Sequence, residues 1–224
     1  MQYQKYLSAL VITAAIFITA FYIAQRFDQA RIADIRSAQE AISIDILSNE
    51  TQYELLGSLD CATLKANPGL TDALNSLASQ LSVAEQNLGT NNPEVIVLKK
   101  QYTLLQIKDY LLLRTISQKC GLKPVYILYF YSNMGDCSDC GRAGDVLTYL
   151  RNQYPDLRVY SFDYHLDLSA LRTLKDLRNV EQSNGLPAFI INNREAVYGF
   201  KSLPDMQKLI PELKTLATST SSAK

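Results

Sequence analysis

Residues 125–140 read Val125-Tyr126-Ile127-Leu128-Tyr129-Phe130-Tyr131-Ser132-Asn133-Met134-Gly135-Asp136-Cys137-Ser138-Asp139-Cys140. The first seven are a continuous apolar, β-prone run between Pro124 and Ser132. Such a run predicts a strand buried on both faces, as in a parallel sheet. Beyond the cysteines, Ala143, Val146, Leu147 and Leu150 recur at helical spacing, so Cys140 enters a helix. The cysteine pair is therefore expected on a strand-to-helix turn, at a helix N-terminus. Free backbone N–H groups and the positive end of the helix dipole stabilise a thiolate there. Two intervening residues let one helical turn bring the sulfurs within disulfide reach. Cys137, at the turn, is the more exposed and is expected to attack. Cys140, one turn in, is expected to resolve.

A CxxC pair fits redox exchange, zinc binding or a plain structural disulfide. Zinc needs two further ligands. The chain has one histidine, His165, and its other cysteines, Cys61 and Cys120, both precede the strand. A second CxxC is absent. The residues favour redox chemistry, with no metal and no cofactor expected. His165 follows a strand and reads as a loop residue, not a ligand.

From 123 to about 214 the chain resembles thioredoxin-like domains. The resemblance rests on Lys123-Pro124-Val125 with the buried strand, the CxxC, its helix, a strand over 157–163, another helix, and Gly185-Leu186-Pro187-Ala188-Phe189-Ile190-Ile191. It implies an α/β thioredoxin-like domain, with a mixed central sheet flanked by helices. It also implies thiol–disulfide oxidoreductase activity on protein thiols or disulfides, with a membrane or soluble redox partner. The Leu186–Pro187 bond should be cis and face the CxxC across the substrate groove, with Leu186 and Pro187 binding substrate backbone. Asn192-Asn193 fits a hairpin turn, 196–200 an edge strand, and Ser202 the start of a last helix that Pro211 should kink or end early.

This chain departs from the family pattern in four ways. Asp136 stands where the family has tryptophan, and the intervening dipeptide is Ser138-Asp139, not Gly-Pro. Tyr129 replaces the family's buried carboxylate, and the opening strand and helix are lacking. Asp136, Ser138 and Asp139 are expected to tune the redox poise. A negative neighbour disfavours the thiolate, so the disulfide should be comparatively hard to reduce.

The whole chain, 224 residues with 47% hydrophobic content, allows one or two domains and a real core. Its 22 basic and 22 acidic residues balance, so there is no nucleic-acid footprint.

Residues 7–24, LSALVITAAIFITAFYIA, are almost wholly apolar. As a helix they span roughly 27 Å, just enough for a hydrocarbon core. Tyr3, Tyr6 and Tyr22 would lie near the headgroups. A cleaved signal peptide is the alternative. A small-x-small cleavage site is hard to place, because Ile18 lies two before Ala20 and Tyr22 two before Ala24. The run favours an uncleaved signal anchor, residues 1–25, touching membrane lipid through 7–24.

Residues 26–120 read as α-helical and coiled-coil-like. Three stripes recur at three-four spacing: Ile32 to Leu56, Leu70 to Leu88, and Val95 to Ile116. Asn67-Pro68-Gly69, Gly89 and Asn92-Pro93 divide them. In an up-down-up arrangement, Cys61 and Cys120 fall at the same end. A structural disulfide closing that loop would give up to roughly 4 kcal/mol in the chain-entropy model. Two free buried cysteines are the alternative.

Orientation is contested. Arg26, Arg31 and Arg36 follow the span and only Lys5 precedes it, which argues for a cytoplasmic C-terminal part. A structural disulfide argues for an oxidising compartment. The expectation is a single-pass cell-membrane protein with its C-terminal part extracytoplasmic. The thioredoxin-like domain should occupy 121–216, followed by a disordered tail, 217–224. The expected function is a membrane-tethered thiol–disulfide oxidoreductase. The rival is a non-catalytic membrane-anchored scaffold that binds a partner and keeps both disulfides structural.

Overall fold

The structure, a computed structural model, describes residues 69–216 continuously and scattered positions before residue 69. The chain divides into two compact units, Met1–Leu55 and Leu56–Lys224. In the first, the described positions are helical, and Leu10, Phe17 and Ile18 are exposed. Among the described residues no helix is long and apolar enough to cross a membrane. Much of the run 7–24, most of the first helical stripe and the tail 217–224 lie outside the described residues.

In the second unit, α1 (Gly69–Leu88) and α2 (Pro93–Cys120) form a helical hairpin. Gly89 ends α1 at φ 84°, a left-handed conformation that stops the helix cheaply only at glycine. Asn92 starts α2: its side chain accepts the Glu94 N–H at 2.9 Å, and Pro93 follows where no N–H is needed. Val95, Leu105 and Leu112 of the expected stripe are buried. A second row on α2, Lys99, Thr103, Gln106, Ile107 and Tyr110, is buried as well. Ile107 and Tyr110 share a core with Tyr126, Phe130, Tyr160 and Phe162. The Tyr110 ring meets Tyr126 and Tyr160 edge-on, at centroid distances of 5.4 and 6.0 Å. Where the sequence reading draws a boundary between 120 and 121, α2 and the sheet share one core. Apolar residues on two faces of one helix tie hairpin and sheet together.

The sheet has order β2-β1-β3-β4, from β1 (Tyr126–Tyr131), β2 (Arg158–Asp163), β3 (Ala188–Ile191) and β4 (Ala196–Tyr198). β1 pairs parallel with β2 and antiparallel with β3, and β3 pairs antiparallel with β4. β4 is shorter than the expected 196–200. The continuous apolar character of β1 follows from its place. Tyr126, Leu128 and Phe130 face the core formed with α2 and α4 (Ser169–Leu177). Ile127 and Tyr129 face the other, with Ala143, Leu147 and Leu150 of α3 (Cys140–Gln153) and Met206 of α5 (Leu203–Leu209). Ser202 and Asp205 form a capping box at the start of α5, which ends before Pro211.

Three polar links bind α2 to the edge strand β2, one of them the Tyr160 hydroxyl donating to Asp109 Oδ2 at 2.7 Å. The Gln106 side-chain oxygen accepts the Ser161 N–H at 2.9 Å. The Lys99 ammonium lies 2.9 Å from a Glu85 oxygen on α1 and 3.3 Å from Asp163 Oδ2 at the end of β2. Cys61 and Cys120 are joined by a disulfide, with Cα atoms 5.6 Å apart.

Candidate active site

Parallel pairing places the ends of β1 and β2 side by side, with Tyr131 opposite Asp163. The loop after β1 carries Asp136 and Cys137; the loop after β2 carries His165. Antiparallel pairing sets Phe130 opposite Ala188, which brings Pro187 to the same end of the sheet. Three chain segments thus frame the cysteines.

Cys137 and Cys140 are joined as a disulfide, with Cα atoms 5.5 Å apart. Cys140 opens α3 and is buried, whereas Cys137 lies just before the helix and is half-buried. Unpaired N–H groups at a helix N-terminus favour the thiolate form of a cysteine placed there once its disulfide is reduced. Ser138 is exposed between them. Asp139 makes no side-chain cap; its carboxylate is 2.9 Å from Arg142. The Arg142 guanidinium lies 4.2 Å from the Phe200 ring centroid, a cation–π contact beside the cysteine turn.

Tyr129 is buried between Tyr131 and Phe189, with stacked rings at 5.6 and 5.4 Å. Its hydroxyl donates to the Cys140 carbonyl at 2.6 Å. Burial pushes the Tyr129 and Tyr131 hydroxyls far above the usual tyrosine range, so Tyr129 remains a donor. A cavity of about 340 Å3 borders Cys140, lined also by Tyr131, Ser132, Asn133, Gly144 and Asp145.

Asp136 gathers donors from three segments. Its Oδ1 accepts the Ser132 hydroxyl; its Oδ2 lies 2.7 Å from His165 Nε2 and 2.9 Å from the Gln182 amide nitrogen. The Ser132 and His165 hydrogen bonds hold the Asp136 carboxyl below the usual carboxylate range. The neighbouring loop is braced in turn. The His165 N–H donates to Asp163 Oδ1 at 3.2 Å, and Lys175 donates to the Tyr164 carbonyl at 2.8 Å. The Tyr164 hydroxyl accepts the Gln182 N–H at 3.1 Å.

The Leu186–Pro187 peptide bond is cis. Pro187 is buried, Leu186 half-buried, and the Pro187 carbonyl accepts the Gly199 N–H at 2.8 Å. Among the described residues no group of three histidine, cysteine, aspartate or glutamate side chains is arranged to hold a metal ion. Of the residues singled out in the sequence, Asp136, Cys137, Ser138, Asp139 and Cys140 gather on one turn. Leu186 and Pro187 lie at the same sheet end, and Cys61–Cys120 is a separate covalent link. Sequence reasoning misses Ser132, His165 and Gln182. The available signal is the parallel adjacency of β1 and β2, whose carboxyl ends are the usual place for sites in such sheets.

The mixed sheet with its flanking helices fits a thioredoxin-like fold. Among solved structures, the chain is similar to thioredoxin O2 from Arabidopsis thaliana in the oxidized state. The identity is 20%, over 40% of this chain and 74% of that one, with a TM-score of 0.32. It is similar also to chloroplastic thioredoxin z, at 13% identity over 46% of this chain and 88% of that one, with a TM-score of 0.34. No protein-family description matches the sequence, and neither does any curated protein.

Proposed function

We propose that this protein is a membrane-tethered, extracytoplasmic thiol–disulfide oxidoreductase acting on protein substrates. The observation that carries the reading is the Cys137–Cys140 pair at the start of α3, with the outer sulfur half-buried and the inner one buried. In substrate reduction, the Cys137 thiolate attacks one sulfur of a substrate disulfide. One substrate thiolate leaves, and Cys137 is held in a mixed disulfide. The Cys140 thiolate then attacks the Cys137 sulfur, releasing the second substrate thiolate and forming Cys137–Cys140. Two electrons pass to the substrate, and a membrane or soluble redox partner returns them. The same steps reversed oxidise a substrate dithiol. Substrate backbone would lie along Leu186 and Pro187.

The rival is a partner-binding scaffold in which both cysteine pairs are structural. Alkylation under mild reductant separates them. The expected result is rapid labelling of Cys137, alone, at a reductant level that leaves Cys61–Cys120 bonded. Protection of Cys137 equal to that of Cys61–Cys120 would transfer the protein to the scaffold reading.

Tethering is supported by the apolar run 7–24, whose described residues Leu10, Phe17 and Ile18 are exposed. An apolar stretch of that length suits lipid better than water. The extracytoplasmic side is supported by Cys61–Cys120, since a structural disulfide persists in an oxidising compartment. Protease added to intact cells or spheroplasts is expected to digest the chain beyond residue 24. Full protection until lysis would place the domain on the cytoplasmic side.

A further inference from the structure

We propose that His165 is a positioning residue for the redox pair: acting through Asp136, it draws that carboxylate's charge away from the Cys137 sulfur and so stabilises the thiolate. The inference rests on the redox reading above and adds to it the means by which the thiolate tolerates an acidic neighbour.

Asp136 directly precedes Cys137, where a bare negative charge would oppose thiolate formation. The carboxylate is not bare. An ionised carboxylate offers only lone pairs, so the imidazole must donate from Nε2, over 2.7 Å. The Gln182 amide donates to the same oxygen at 2.9 Å, and the Ser132 hydroxyl takes the other oxygen. The two donor nitrogens lie 3.5 Å apart, converging on one acceptor. Donors directed at a carboxylate lower the field it casts on other neighbours.

These donors are held in place. The His165 backbone is fixed by Asp163, and its ring stands edge-on to Tyr164 at 5.4 Å. The Tyr164 ring carries the Lys175 ammonium 3.9 Å from its centroid, and its hydroxyl accepts the Gln182 N–H. Side chains from the loop after β1, the loop after β2 and the turn before β3 are thus presented to one carboxylate.

The test is the equilibrium of Cys137–Cys140 with glutathione, measured on the full chain. His165→Ala uncovers the charge and is expected to shift the equilibrium at least about threefold toward the disulfide, because the thiolate is less stable. Asp136→Asn removes the charge and is expected to shift it about threefold the other way. The double variant should match Asp136→Asn, because His165 then has nothing to shield. His165→Gln, which keeps a donor and guards against a misfolded alanine variant, should shift less than His165→Ala. Single variants that shift in the same direction, as loosened loops would, overturn the inference, as does an additive double variant. Absence of any measurable exchange by the wild-type pair overturns the redox reading and this inference together. Measurable exchange without the opposed shifts overturns this inference alone.

Discussion

Cys140→Ser is expected to accumulate covalent adducts with client proteins, whereas Cys137→Ser accumulates none. The outer cysteine can still attack a client disulfide when the inner one is gone, but nothing is left to attack the Cys137 sulfur in return. The mixed disulfide then persists until an outside thiol releases it. In Cys137→Ser the remaining thiol is buried at the first residue of α3, where a folded client reaches it poorly. Turnover should be lost in both variants, so activity alone does not separate their roles. Non-reducing electrophoresis followed by identification of reducible adducts does. Equal trapping by the two variants would show that the attacking and resolving roles are assigned wrongly.

Lys99→Met is expected to lower the unfolding free energy by about 3 kcal/mol, because it removes the counter-charge from a buried ionic group. Lys99 is 4% exposed and Asp163 8% exposed. The ammonium lies between the Glu85 and Asp163 carboxylates, joining α1, α2 and β2. Methionine keeps most of the stem's packing, so the loss is chiefly electrostatic: two carboxylates are left facing one another. Urea unfolding followed by circular dichroism measures it. Neutralising the partners in the same chain, Glu85→Gln with Asp163→Asn, should recover most of the loss, since no unpaired charge remains buried. An unchanged urea midpoint for Lys99→Met would show that water reaches the ammonium in the folded state.

Much of the sheet is legible in the sequence because burial on both faces leaves a plain mark. β1 contacts the α2/α4 core through Tyr126, Leu128 and Phe130 and the α3/α5 core through Ile127 and Tyr129, so no polar residue interrupts it. The breaks in the helical hairpin are legible for a different reason. Gly89 and Asn92-Pro93 are chosen by backbone conformation rather than packing. The packing of α2 on the sheet is not legible. Its buried row includes Lys99, Thr103 and Gln106, residue types that read as a solvated face. Two of these are buried with partners distant in sequence: Lys99 with Asp163, and Gln106 with Ser161. The Asp136–His165 pair is hidden in the same way. These residues are 29 apart in sequence and meet only because β1 and β2 run parallel as neighbours. Periodicity carries no information about such a meeting. The cysteine turn, by contrast, is local, and its cysteine–helix relation can be read directly.

The Gln106 contact has a consequence for self-association. β2 is an outer strand of the sheet, and the Ser161 N–H belongs to the row facing away from β1. Such a row is a template on which another chain can lay a strand of its own. Gln106 answers that donor with a side-chain amide, and α2 lies alongside as a guard rail. At the opposite border of the sheet, β4 is only 3 residues long, too short to seed much growth. The helical hairpin is therefore a barrier to polymerisation as well as part of the core. A fragment cut at residue 121 to isolate the cysteine-bearing portion would lose that barrier and present β2 as a bare, adhesive border.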